Sequence, residues 1–279
     1  MKVGKTLVAA TVALAALAAG CESQKSEDEF VVAVSIVPYA AFVEAIAGDA
    51  VSVVTMIPPN AQPNLYDPKP SQMKALESAK IYFAVGADFG FENIWLEKFR
   101  GLAPEMRVVN CAEGISTLDH NPHVWLGPVE TRTIIDNAHA ALVEALPEKR
   151  RTFDANRATA LARLDSIDAK IEALLADDAG KFILVYHPSW NYFCREYGIN
   201  QLALERHGKE PKAGDLEETI ATAKRHGVRV VFVQKQFNEA PAETVAKELG
   251  AEIEELNPLP EDPFAAYIET AKKIDESLR

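Results

Sequence analysis

Glu148–Leu175 reads EKRRTFDANRATALARLDSIDAKIEALL. Leu161, Leu164, Ile167, Ile171, Leu174 and Leu175 recur at spacings of three and four, and Arg163, Asp165, Lys170 and Glu172 fall between them. This is the pattern of an amphipathic helix, and over that length it runs for roughly 40 Å at 1.5 Å per residue. Pro147 favours a fresh helix start, and Asp178-Ala179-Gly180 ends it.

On either side of this helix, short β-rich runs alternate with helical patterns. Before it, the strands are Phe30–Ile36 (FVVAVSI), Val51–Ile57 (VSVVTMI) and Ile81–Val85 (IYFAV), with Arg107–Asn110 as a fourth. The helices between them are Ala40–Ala47, Ser71–Ser78 and Ile94–Arg100. After it come Phe182–Tyr186 (FILVY), Gln201–Leu204, Val228–Val233 (VRVVFV) and Glu252–Leu256, with helices Leu216–His226, Pro241–Leu249 and Pro263–Leu278. Such alternation implies parallel strands built from βαβ units. The expected fold is therefore α/β with two lobes, each a small parallel sheet flanked by helices, joined by one long backbone helix. The expected divisions are an N-terminal lobe at 30–147, the connecting helix at 148–178 and a C-terminal lobe at 179–279.

The chain of 279 residues is 48% apolar and 25% charged, which suits a folded body and excludes a disordered one. Its net charge of −12 argues against nucleic acid, where Lys and Arg must neutralise phosphates, and favours a cation or a neutral ligand. Three cysteines exclude a disulfide-dense scaffold.

Residues 1–20 read as a signal peptide: Lys2 and Lys5 precede an uncharged run that is short for a membrane span and ends in small residues. Leu17-Ala18-Ala19-Gly20-Cys21 resembles a bacterial lipobox, with Leu one place early, so Cys21 is the expected lipidation site. The alternative is an ordinary secretory peptide with a chance cysteine. Residues 21–29 then form a lipid anchor and tether, since Glu22–Glu29 has no apolar residue. Cleavage removes Lys2 and Lys5 and leaves a mature charge of about −14. No later segment is apolar enough to cross a membrane, and the body is expected to be exported.

Ligands of open α/β sheets bind past the carboxyl ends of strands. Four segments sit there: the proline-rich loop Ile57–Pro70, His120–Leu126 (HNPHVWL), His187-Pro188-Ser189-Trp190 and Asn257-Pro258-Leu259-Pro260. Converging imidazoles are the usual nitrogen ligands of zinc and its neighbours. Each residue also has a plainer reading. His187 could cap the following helix, and His123 could be a packed, hydrogen-bonded histidine beside Trp125. His120 reads as an exposed neighbour, and His139, His207 and His226 as structural or solvated. Asn64 and Asn257 alone are turn formers. No nucleophile elbow, P-loop or dinucleotide fingerprint is present.

Taken together, PNLYDPKPS (63–71), GFENIWLEK (90–98), HNPHVWLGP (120–128), YHPSWNYFCREYG (186–198), FVQKQF (232–237) and NPL (257–259) resemble the zinc/manganese-type metal-binding lipoproteins. These are the cluster A-I solute-binding proteins of ABC importers. The resemblance covers about Phe30–Leu278 and implies two lobes with a metal between them. It maps the metal positions onto Asn64, His123, His187 and Asn257. Two of these depart from the family: Asn64 stands for a His and Asn257 for a common Asp. Gln234 likewise stands for an acid, and a His-rich loop is absent.

A site of two imidazoles and two amides carries no negative charge, so a dication in it is uncompensated. Asp67, Glu205, Asp262 or His120 could complete the shell, a water or an anion could supply the charge, or the ligand could be a chelate. The resulting expectation is an exported, membrane-anchored, non-enzymatic and monomeric receptor of an ABC importer, on the periplasmic or cell-surface face. It takes a transition metal, zinc ahead of manganese, uses no organic cofactor and delivers to a permease. The alternatives are a same-fold receptor for a metal chelate or small polar molecule, an exported metalloenzyme lacking an identifiable general base, or a scaffold that has lost its ligand. Cys111 and Cys194 fall in different lobes and are expected to be free and buried.

Overall fold

The structure is a computed structural model and describes residues 29–205, 213–237 and 240–279. The signal peptide, Cys21, His207 and most of the tether lie outside the described residues.

The first sheet contains β1 (Val31–Ile36), β2 (Ser52–Ile57), β3 (Ile81–Ala84) and β4 (Arg107–Asn110), all parallel, in the order β2-β1-β3-β4. VVAVSI is nearly all apolar because β1 lies inside the sheet, with Val32 facing Val53 on one side and Ile81 on the other. The helices α1 (Val37–Ala47), α2 (Pro70–Leu76) and α3 (Gly90–Leu102) join these strands. The second sheet repeats the order. Its strands β5 (Phe182–Val185), β6 (Asn200–Ala203), β7 (Val230–Val233) and β8 (Glu252–Glu255) run parallel as β6-β5-β7-β8. Helices α6 (Asn191–Glu196), α7 (Ala213–Arg225) and α8 (Ala240–Leu249) belong to it. In both sheets the first strand is internal, so the chain changes direction beside it. That places a crevice beyond the strands' carboxyl ends.

Between the sheets lie α4 (Pro128–Ala145), α5 (Arg150–Leu174) and α9 (Pro263–Ser277). The helix expected at Glu148–Leu175 is α5, preceded by a separate 3-10 turn at Pro147–Lys149. Its Phe153, Ala160, Leu164, Ile167 and Ile171 are buried, and it packs on α1, α4 and α9. The joint between the lobes is therefore a layer of helices, where the sequence pointed to one helix alone. A continuous hydrophobic core runs through this layer from Val32 and Phe83 to Val185 and Phe232, and a smaller cluster around Leu184, Val231 and Val245 covers the outer part of the second lobe. The six residues of α6 are too few to show a helical period in the sequence. Cys111 and Cys194 are buried and unbridged. Among the described residues no helix is long and apolar enough to cross a membrane.

Candidate metal centre

His187 lies two residues beyond the end of β5, where the strand delivers it to the crevice. Gln234, fully buried just after β7, clasps its backbone: Gln234 Nε2 donates to the His187 carbonyl at 2.9 Å, and Gln234 Oε1 accepts the His187 N–H at 3.3 Å. His123 comes from the other lobe, at the start of the 3-10 turn Val124–Leu126 that leads into α4. The Asn121 side chain fixes that turn by accepting the His123 N–H at 2.9 Å. The two imidazoles meet with their Nε2 atoms 3.3 Å apart and their ring planes at 73°.

Hydrogen bonding determines which nitrogens carry protons. Asn121 Oδ1 is an acceptor, because it takes the His123 backbone N–H while Asn121 Nδ2 donates to the Pro188 carbonyl at 2.7 Å and to Asn191 Oδ1 at 3.0 Å. His123 Nδ1, 2.6 Å from that same oxygen, must therefore be the donor. His187 Nδ1 lies 2.8 Å from Glu205 Oε2 and donates to a carboxylate. In the neutral form of either ring the free lone pair is then on Nε2, and the two Nε2 atoms are neighbours across the crevice. Burial, and secondarily the proximity of His187, lower the His123 pKa well below the ordinary histidine value and keep that ring neutral. Two nitrogens each about 2.0–2.1 Å from a tetrahedral zinc are separated by about 3.4 Å. The observed separation matches that arrangement. An acceptor bonded to the outer nitrogen of each ring is the support that metal-ligating histidines use.

Aromatic residues wall the pair. His187 stacks on Phe237, with ring centroids 4.6 Å apart, and the His123 and Trp125 centroids are 5.1 Å apart. The Trp125 indole N–H reaches the Pro258 carbonyl at 2.7 Å. Asn121, Phe237 and the Trp125–Pro258 bond carried no signal of their own in the sequence, although each lies inside a motif quoted above.

A cavity of 620 Å³ opens around the imidazoles, lined by residues of both lobes. Asn64, exposed on the 3-10 turn Pro63–Leu65, lines it together with His123, His187, Glu205 and His120. His120 Nδ1 is 3.4 Å from Asp88 Oδ2 at the open rim, with both side chains largely exposed. Asn257 is placed differently. Its Oδ1 accepts the Leu259 N–H at 3.0 Å and the Gln236 amide at 3.4 Å, and it borders a small second cavity beside Trp125 and Tyr267. Asp67 is exposed and outside the cavity lining. Asp262 caps α9 through the Ala265 N–H at 3.1 Å and pairs with Arg163. His139 pairs with Asp154, and His226 stacks on Phe182. Among the described residues no group of three or more His, Cys, Asp or Glu side chains is arranged to hold a metal ion.

The model of the family described as zinc-uptake complex component A, periplasmic, matches residues 32–279. A protein from Chlamydia trachomatis named a putative metal-binding protein is 29% identical over 83% of this chain and 85% of its own length. The zinc-binding lipoprotein AdcA of Streptococcus pneumoniae is 26% identical over 93% of this chain, which spans 56% of that longer protein. A crystal structure of ZnuA superposes with a TM-score of 0.86 at 35% identity, covering 90% of this chain and all (100%) of the other. The periplasmic zinc-binding protein TroA of Treponema pallidum shares the fold, with a TM-score of 0.81 at 20% identity over 90% of this chain and 99% of its own. With its two parallel sheets, the helical layer between them and the match across nearly the whole body, this chain belongs to the zinc-uptake complex component A family.

Proposed function

We propose that this protein is the extracytoplasmic metal-binding component of an ABC importer. It captures a transition-metal dication, zinc ahead of manganese, and passes it to a membrane permease. Family membership and the names of the relatives support the receptor role. The observation that carries the reading for this chain is the pair of imidazoles, one from each lobe, with Nε2 atoms 3.3 Å apart. His123 and His187 are the ligands in this reading. Asn64 lines the open side, and Asn257 shapes the adjoining wall through its turn. Nitrogen donors suit zinc better than manganese, which prefers oxygen. The protein performs no chemical step, acts as a monomer and is held at the membrane by lipid on Cys21.

Delivery requires an exit for the metal. The lobes are tied beside the site: Tyr192 Oη donates to the Asn121 carbonyl at 2.7 Å and accepts the Leu118 N–H at 3.1 Å, and Arg195 pairs with Glu130. The proline-rich loop carrying Asn64 is exposed by comparison, and its movement is the simpler route for release.

The test is a titration of chelator-stripped mature protein with zinc and with manganese, read by calorimetry and native mass spectrometry. One zinc per chain, bound tighter than manganese and lost in both His123→Ala and His187→Ala, is the expected result. Zinc retention unchanged in both variants overturns the site.

A further inference from the structure

We infer that Gln236 is a positioning residue: it latches the proline-rich loop of the first lobe to the second lobe beside the imidazole pair, and so sets how long the metal stays bound. The inference rests on the receptor reading above and specifies what holds the cargo in.

The loop at residues 57–70 brings Asn64 to the cavity. Its two ends are stapled within its own lobe. Gln72 Nε2 donates to the Thr55 and Met56 carbonyls at the entry, both at 2.9 Å. At the exit, Gln72 Oε1 accepts the Lys69 N–H at 3.0 Å and the Tyr66 hydroxyl at 2.7 Å. Between these ends Asn60, Asn64 and Leu65 are exposed. The Asn64 side chain seats against the first residue of α3, where a Cβ on Gly90 would stand 2.7 Å from Asn64 Oδ1.

A further tie crosses the cleft. Gln236 Nε2, in the turn after β7, donates to the Pro59 carbonyl at 3.0 Å and to Asn257 Oδ1 at 3.4 Å. Both neighbours are acceptors, because Asn257 Oδ1 also takes the Leu259 N–H at 3.0 Å, so the amide nitrogen must point this way. Two features make this tie a latch that can open. When the loop leaves, Gln236 keeps Asn257 as an acceptor, so its donor is not orphaned. While the latch is closed, Gln236 Oε1 is buried without a partner, a cost that rotation of the side chain toward solvent relieves. The latch is also built onto the metal site. Gln234, two residues earlier, clasps the His187 backbone, and Phe237, the next residue, stacks on the His187 ring. A single neutral hydrogen bond is weak enough to break during release and strong enough to change its rate.

The experiment uses stripped mature protein and two variants that remove the bond to Pro59. Gln236→Met keeps the length without the donor, and Gln236→Asn keeps the amide on a shorter arm. Zinc-loaded protein is mixed with excess chromophoric chelator to read the release rate. Hydrogen exchange is followed at the Ala61 and Leu65 amides, both bonded inside the loop. Both variants should release zinc about three- to tenfold faster than the wild type. Exchange at the two loop amides should quicken, with circular dichroism unchanged. A merely structural bond would lower the unfolding midpoint of the metal-free protein and leave release alone. Unchanged release in both variants, whatever the midpoint, overturns the inference and leaves the receptor reading standing, as does faster release with loop exchange unaltered. A wild type that retains no zinc overturns the receptor reading, and this inference with it.

Discussion

Trp125 is held from two directions: its indole N–H donates to the Pro258 carbonyl at 2.7 Å, and its own carbonyl accepts the Tyr267 hydroxyl at 2.6 Å. Trp125 precedes α4, whereas Pro258 follows β8, so the first bond crosses from one lobe to the other two residues from His123. Trp125→Phe keeps a ring in the core but leaves the Pro258 carbonyl without this donor. The expected cost is about 1–3 kcal/mol of folding stability, measured by urea denaturation. An unchanged midpoint would show that the bond adds nothing to the joint.

Glu205 orients His187, and Glu205→Gln tests that role. The amide can still accept from Nδ1–H, but without charge. Loss of such support beyond a metal-ligating histidine typically costs about 10–100-fold in affinity. A zinc competition against a chromophoric chelator should show a fall in that range with the fold intact by circular dichroism. Full affinity in the variant would remove Glu205 from the account.

Asn64 is exposed and lines the cavity that holds the imidazole pair, and Asn64→His offers a third nitrogen. Binding of zinc alone should tighten by at least about tenfold, because a third strong donor replaces a neutral amide oxygen. Equal affinity in the variant would mean that the loop does not approach the metal.

Glu92 gives the protein a pH signature independent of metal. Its carboxyl is buried beneath β1 and β3, where it bonds Ser35 and accepts the Val85 and Gly86 N–H groups at 2.6 and 2.9 Å. Burial raises its pKa from 4.5 to about 7, against the opposing pull of those hydrogen bonds. Between these values the folded protein holds a proton that the unfolded chain has released. The stability linked to Glu92 is therefore complete below about pH 4.5 and is lost as pH rises to about 7, by an amount on the order of 3 kcal/mol. Denaturation of metal-free protein across this window should show the decline, and Glu92→Gln should flatten it.

The sequence by itself determined the alternation of strands and helices, the long helix and the two histidines. Each is written in local terms: β-rich runs such as FILVY, leucines and isoleucines at spacings of three and four, and imidazoles immediately after apolar strands. Even Glu205 could be named as a nearby acid. Only the tertiary structure decided what those residues do. Glu205 and Asn121 hydrogen-bond the Nδ1 atoms of the two rings while their Nε2 atoms lie 3.3 Å apart, whereas Asn257, so similar to Asn64 in sequence, spends its carbonyl on the Leu259 N–H. The long helix likewise proved to be one member of a shared layer with α1, α4 and α9. The physical reason is that periodicity records which face of an element is apolar, while hydrogen-bond partners and the packing of one lobe on another depend on atoms brought together across more than a hundred residues, as Trp125 and Pro258 are.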